Sequence, residues 1–224
     1  MVKCTVVDIL YVDEALLVVN KPAGLPVLPD GWQKDSTHLV KLLEAEYGRI
    51  WIVHRLDKVT SGALVIARTA EAHRTLSIQF ENHQARKVYH AVANGVPEWD
   101  ERVCKQPLRS DVGHRHRTVV DPHNGKPSST TFRILERFRA HVFIEAQPLT
   151  GRTHQVRVHA AALHCPLLAD SLYGAPPTEI IARPALHAFS LSFTHPESSQ
   201  PITYTAPYPA DFAQALKALR FVVH

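Results

Sequence analysis

The chain has 224 residues, 45% of them hydrophobic and 21% charged, with a formal net charge of +4. That length supplies a sizeable core, and that balance excludes a disordered or fibrous chain. No apolar run approaches the roughly 20 residues of a membrane-spanning helix, so no membrane partner is expected. Met1-Val2-Lys3-Cys4-Thr5 has neither an apolar stretch nor a small-residue cleavage site, and no secretory leader is expected. Cys4, Cys104 and Cys165 are far apart and form no CxxC pair. They argue against a disulfide framework and for a reducing, cytoplasmic location. The histidines are scattered: His114-Arg115-His116 and His154, His159 and His164 lack a metal-binding spacing, so no metal is expected.

In chain order, Val6–Tyr11 and Ala15–Asn20 read as two short strands rich in Val, Leu and Ile. Lys21-Pro22-Ala23-Gly24 breaks the pattern and opens a loop to Asp30-Gly31. Leu39, Val40, Leu42 and Leu43 predict a short helix ending near Gly48. Trp51–Val53 leads into His54, and Ala63–Ala67 is a further strand. Thr69 reads as a helix N-cap, with Glu71 in the first turn and Leu76 and Phe80 on one face. Val88–Val96 is a strand, and residues 97–127 read as hairpins or an insertion. Thr130–Leu135 and Val142–Gln147 predict an antiparallel hairpin, and Gly151–Leu163 a helix. Leu186–Phe193 and Ile202–Ala206 are later strands, and Asp211–Leu219 is a terminal helix. Strands dominate without βαβ alternation, which predicts an α+β fold with a mostly antiparallel sheet. With no linker visible, residues 1–224 are expected to form a single domain.

Basic residues are concentrated locally. Residues 49–87 hold seven Arg or Lys against three acids, and residues 101–117 hold five against two. Phosphate neutralisation needs such local excess, although a solvated basic face would show it too. Three segments carry candidate chemistry. His54-Arg55-Leu56-Asp57-Lys58-Val59-Thr60-Ser61-Gly62 places a carboxylate in a loop between two apolar runs, beside a cation that favours its ionised form. The kinase loop His-Arg-Asp-Leu is excluded, because Leu and Asp are exchanged here and no Asp-Phe-Gly or Gly-x-Gly-x-x-Gly accompanies them. Gly151-Arg152-Thr153-His154-Gln155-Val156-Arg157-Val158-His159 is a dense donor cluster interleaved with apolar residues. A half-buried Arg there needs an acidic partner, and Asp57 is one available. Lys87-Val88-Tyr89 puts Lys87 and Tyr89 on one side of a strand, where a Tyr can stack on a base or move a proton.

These segments, with Asn20-Lys21-Pro22-Ala23-Gly24, Ala169-Asp170-Ser171-Leu172-Tyr173-Gly174 and Leu186-His187-Ala188, resemble the ordered blocks of the RluA family of pseudouridine synthases. The resemblance implies a single pseudouridine synthase catalytic domain, built on a long, bent, mainly antiparallel mixed sheet flanked by helices and loops. It implies isomerisation of uridine to pseudouridine in structured RNA, transfer or ribosomal, without cofactor or metal. Asp57 falls on the essential carboxylate, Tyr89 on the active-site Tyr, and Arg152 on the Arg that pairs with the carboxylate. Arg55 falls on the position that helps fill the space left by the flipped uridine. His54, Lys21, Lys87, Thr60, His154, Gln155 and Arg157 are expected at the RNA. Two departures stand out. Ala169 occupies a position where Gly is usual, and the first strand starts near residue 6, so no separate S4-type RNA-binding domain is expected. A monomer is expected. Two other readings use the same residues: an RNA-binding protein without activity, and a nucleoside glycosidase, which would need a second acid.

Overall fold

The computed structural model describes residues 7–29, 37–113 and 117–221. The loop positions Asp30 and Gly31 and the His114-Arg115-His116 run lie outside the described residues. In chain order the elements are β1 (Asp8–Val12), β2 (Leu16–Lys21), α1 (Leu39–Tyr47), β3 (Trp51–Ile52), β4 (Ser61–Ala67), α2 (Ala70–Glu81), β5 (Arg86–Asn94), β6 (Glu101–Cys104), β7 (Leu108–Val112) and β8 (Arg117–Val120). They continue with β9 (Thr130–Arg137), β10 (His141–Pro148), α3 (Gln155–Ala162), a 3₁₀ turn at Ser171–Tyr173, β11 (Leu186–Thr194), β12 (Pro201–Thr205) and α4 (Ala210–Phe221). The α+β class and the antiparallel pairing expected from the sequence are both present. No helix among the described residues is long and apolar enough to cross a membrane.

The chain forms two compact units, one of Met1–Arg86 with Ala188–Pro207, the other of Lys87–His187 with Tyr208–His224. The backbone passes from one unit to the other three times, so no linker marks a boundary in the sequence.

In the first unit β2 pairs antiparallel with β1 and with β4, from Leu16 opposite Ala67 to Lys21 opposite Gly62. All seven residues of β4 are buried, which is why its sequence is a continuous apolar run instead of an alternating one. Leu16, Val18, Ala63 and Val65 pack with Ala72 and Leu76 of α2 and with Leu191 and Phe193 of β11. Each such fully buried Leu or Val contributes about 1.5–3 kcal/mol. Thr69 caps α2 as its sequence predicts, accepting a hydrogen bond from the Ala72 N–H at 3.1 Å. Gln79 then fastens α2 to β11: its amide donates to the Thr194 carbonyl (2.9 Å) and accepts from the Thr194 N–H (2.8 Å). Gly62, at φ +119°, is required by packing, because a Cβ there would collide with the Ala188 backbone.

In the second unit β10 lies between β5 and β9, with β6 beyond β9, all antiparallel. Alternation along the strands sorts two cores. Ala91, Ala93, Ile144 and Ala146 face Val156 and Ala160 of α3. Val92 and Phe143 face Phe212, Ala215, Leu216 and Leu219 of α4, which recur at the helical spacing. Residues 97–127 hold β6 and a separate two-stranded ribbon of β7 and β8.

The helix expected over residues 151–163 is shorter. Gly151 to His154 is not helical, and α3 starts at Gln155 because His154 adopts a left-handed conformation, φ +55°, that no helix turn can include. Arg152 therefore does not share a helix face with Val156 and His159.

Candidate active site

Asp57 lies in the loop between β3 and β4. The Thr60 N–H donates to the Asp57 carbonyl at 3.0 Å and closes a tight turn over Lys58 and Val59. Leu56, 7% exposed, plugs the loop into the core, and His54 anchors its entry. His54 Nε2 accepts from the Val65 N–H at 3.2 Å, and its ring stacks on Phe80 at 4.4 Å. Arg55 is exposed. Thr60 is buried, and its hydroxyl makes no hydrogen bond among the described residues.

Lys21 has a use its sequence does not suggest. Expected at the RNA, it is wholly buried at 0% exposure. Its ammonium donates to the carbonyls of Leu25 (2.8 Å), Pro22 (2.9 Å) and Lys58 (3.4 Å). The Gly24 N–H adds a bond of 2.7 Å to the same Lys58 carbonyl. A buried cation must be surrounded by acceptors. Here those acceptors tie the Pro22–Leu25 loop to the Asp57 turn, which corrects the expected phosphate contact.

In the second unit Tyr89 sits on β5 opposite Ala146, and is partly buried. Lys87, two residues earlier on the same side of the strand, donates to the Thr150 carbonyl at 3.3 Å. Burial lowers its pKa from 10.5 to about 8. Arg152 is partly exposed and donates through Nε and Nη2 to the Pro127 carbonyl at 3.4 and 3.3 Å.

Gln155 is 4% exposed and fully engaged. Its carbonyl oxygen accepts from the Thr150 hydroxyl (2.7 Å) and from the Arg152 N–H (3.0 Å). Its amide donates to the Ser129 carbonyl (2.9 Å) and the Thr130 hydroxyl (3.0 Å). Gln155 thus fixes the backbone that carries Arg152 to the start of β9. With every donor and acceptor taken inside the fold, it is a brace and not the expected RNA contact.

Arg157 is also turned inward. Its guanidinium forms a bidentate pair with Asp170, at 2.7 and 2.8 Å, and lies 5.0 Å from the Tyr173 ring. The half-buried Arg of this segment does have an acidic partner, and that partner is Asp170. This corrects the expected RNA contact of Arg157, and for this Arg the acid is Asp170 where the sequence offers Asp57 as an available candidate. The Tyr173 hydroxyl accepts from the Thr118 N–H at 3.0 Å and shares a hydrogen bond with His154 Nδ1 at 2.7 Å. Burial raises the pKa of Tyr173, which keeps the phenol protonated. His159, wholly buried, bonds Thr130, Gln106 and Ser128, and burial holds its pKa below the usual value.

Asp170, Tyr173 and Thr150 are thus site-building residues that the sequence reading passed over. The only signal for the first two was their block, Ala169 to Gly174. Ala169 itself has φ +62°, a left-handed conformation that costs a non-glycine residue about 1 kcal/mol. That explains why Gly is usual there. Among the described residues no group of three or more His, Cys, Asp or Glu could hold a metal ion.

The family model for RNA pseudouridylate synthase matches residues 15–162. The ribosomal large subunit pseudouridine synthase D of Neisseria meningitidis serogroup A is 41% identical over 229 residues, covering 95% of this chain and 61% of that protein. The protein of the same name from Pseudomonas aeruginosa is 38% identical, covering 95% of this chain and 72% of its own length. This chain therefore spans about three fifths to three quarters of these relatives. Among solved structures, human RNA pseudouridylate synthase domain containing 4 superposes with a TM-score of 0.77 at 27% identity, covering 95% of this chain and 93% of that one.

Proposed function

The chain belongs to the RNA pseudouridylate synthase family, and from that premise we propose that it isomerises uridine to pseudouridine in structured RNA with Asp57 as the essential carboxylate. The observation that carries this reading is the family match over residues 15–162, which takes in Asp57, Tyr89 and Arg152 together. Large-subunit ribosomal RNA is the first substrate to test, because it stands in the names of the bacterial relatives, and transfer RNA is the second. The enzyme acts in the cytoplasm as a monomer, and residues 1–224 serve as one catalytic domain without cofactor.

The chemistry explains the residue types. The target uridine must leave the stack, at a cost of a few kcal/mol that phosphate contacts offset. The N1–C1′ bond breaks, the uracil rotates, and C5 bonds to C1′; the proton on C5 is then lost and N1 takes one up, so that the product is an isomer of the substrate. A carboxylate serves by bonding to C1′, by stabilising positive charge there, or by taking the 2′ proton. Arg152 steadies the negative charge. Tyr89 stacks on the base and offers a hydroxyl for proton transfer. Arg55, exposed beside Asp57, fills the space the base has left.

Asp57→Asn tests the assignment. Pseudouridine formation, measured by chemical mapping of a ribosomal RNA transcript, is abolished while RNA binding persists. Turnover retained in that variant overturns the assignment. Release of free uracil by the unaltered protein would point to a glycosidase instead.

A further inference from the structure

We propose that the second unit carries a nucleotide-binding subsite, reached through Arg152 of the candidate active site, that grips a phosphate of the RNA strand next to the reacting uridine. This rests on the reading of the protein as an RNA-modifying enzyme. The subsite is a cavity of about 360 Å³. That lies in the range of about 300–1,000 Å³ for small-ligand pockets, large enough for a nucleotide and not only for a bare ion. Arg109, Lys126 and Arg152 supply cations to its lining, while Ser110, Asn124 and Thr153 supply neutral polar groups. Among the described residues no acidic side chain lines it.

The cavity is framed by rigid structure. Backbone bonds join Leu108 to Lys126 in both directions, at 3.0 and 2.8 Å, and Asp121 to Pro107 at 2.9 Å. Gly125 has no room for a side chain, since a Cβ would meet the Asp121, Pro107 and Leu108 backbone. The Asp121 carboxylate accepts from the His123 and Asn124 N–H groups, at 3.1 and 2.9 Å, and pairs with Arg109 Nε at 2.8 Å. That carboxylate thus holds Arg109 in place through one edge of a guanidinium that is half exposed. The opposite wall is Gly151-Arg152-Thr153, fastened by Arg152 to the Pro127 carbonyl and by Gln155 to the Arg152 N–H. The Lys87 ammonium stands 3.9 Å from where a Gly151 Cβ would be, adding a fourth cation behind that wall. Three cations around a nucleotide-sized opening, of which Arg109 is held by Asp121 and Arg152 by the Pro127 carbonyl, match a phosphodiester and its sugar.

The test uses the full chain with a ribosomal RNA transcript. Arg109→Ala and Lys126→Ala each weaken binding about tenfold, as expected when one charge-assisted phosphate contact is lost. Each also lowers the slope of log affinity against log salt by about 0.7–1. Arg109→Lys recovers the slope, which separates loss of charge from loss of fold. Lys105→Ala, a cation of the same segment outside the cavity, leaves both measures unchanged. Equal weakening by all three alanine variants would show a diffuse basic face and overturn the subsite, as would an unchanged slope in Arg109→Ala and Lys126→Ala. If the unaltered protein made no pseudouridine, the proposed activity would fail, and the salt slopes would still decide the subsite.

Discussion

Replacing Lys21 by Met asks what the buried ammonium does. Met keeps the apolar stem and removes the charge. Two of the ammonium's hydrogen bonds are short, to Leu25 at 2.8 Å and Pro22 at 2.9 Å. Another, 3.4 Å to Lys58, is beyond the usual N–H···O range and counts for little. The Lys58 carbonyl also keeps the Gly24 N–H as a partner. Losing the two short charge-assisted bonds, each about 1.5–3 kcal/mol, costs about 3 kcal/mol at the low end. For a chain of this size that lowers the melting midpoint by about 6–12 °C. Freeing the Pro22–Leu25 loop from the Asp57 turn also lets the carboxylate drift, and a 1 Å misplacement costs about 10²-fold in rate. Thermal denaturation with pseudouridine kinetics measures both. We expect a lower midpoint and a reduced kcat with near-normal RNA affinity. A variant of normal stability and normal kcat that bound RNA more weakly would refute the reasoning, because that pattern belongs to a lysine on a phosphate.

Tyr89→Phe keeps the ring and is expected to bind RNA normally while pseudouridine formation falls about 10²–10⁴-fold, the usual contribution of a positioned proton donor; full activity would show the hydroxyl to be dispensable. Lys87, with its pKa lowered from 10.5 to about 8, gives a pH signature. Below about pH 8 it is charged in both folded and unfolded chains. Between there and its unfolded value only the unfolded chain holds the proton, so stability rises with pH across that window. RNA affinity moves the other way, weakening as pH climbs through about 8, and Lys87→Arg removes that dependence; a wild-type affinity flat across the window rules out a charged contact by Lys87. Arg157→Met leaves the Asp170 carboxylate, 1% exposed, buried without its guanidinium. The expected loss is about 3–5 kcal/mol, partly recovered in combination with Asp170→Asn, and a change under 1 kcal/mol in chemical denaturation would show the pair to be dispensable.

How much of this was legible in the sequence depended on how local the cause was. β2, β4, the Thr69 cap and the hairpin of β9 and β10 followed from apolar runs and capping residues, whose effect is felt within a few positions. The start of α3 did not follow. The apolar spacing of Val156, Val158 and Ala160 extends naturally back to Gly151. What stops the helix is the left-handed His154, together with the Gln155 side chain taking the Arg152 N–H for itself. No residue before Gln155 marks that interruption. The division into two units was invisible for a similar reason, since each is assembled from separated stretches of chain.

The basic residues make the same point about the site. In the sequence, Lys21, Lys87, Arg152 and Arg157 are four alike cations in segments that resemble known blocks, and all four were expected at the RNA or the reaction centre. Burial separates them, and burial is decided by partners that the sequence does not announce. Arg157 meets a carboxylate 13 residues on, and Lys21 meets carbonyls of two different loops. A buried cation with its acceptors in place cannot also neutralise a phosphate, but it can stop a loop from moving. Lys21 does this for the turn of Asp57, and Arg157 and Gln155 do it for the segment that carries Arg152. Cations with exposed or half-exposed heads, among them Arg55, Lys87, Arg109, Lys126 and Arg152, are the ones free of that constraint in the proposed reading. Catalysis of this kind needs charged groups already aimed before the substrate arrives. In this chain Lys21, Gln155 and Arg157 hold in place the segments that carry Asp57 and Arg152.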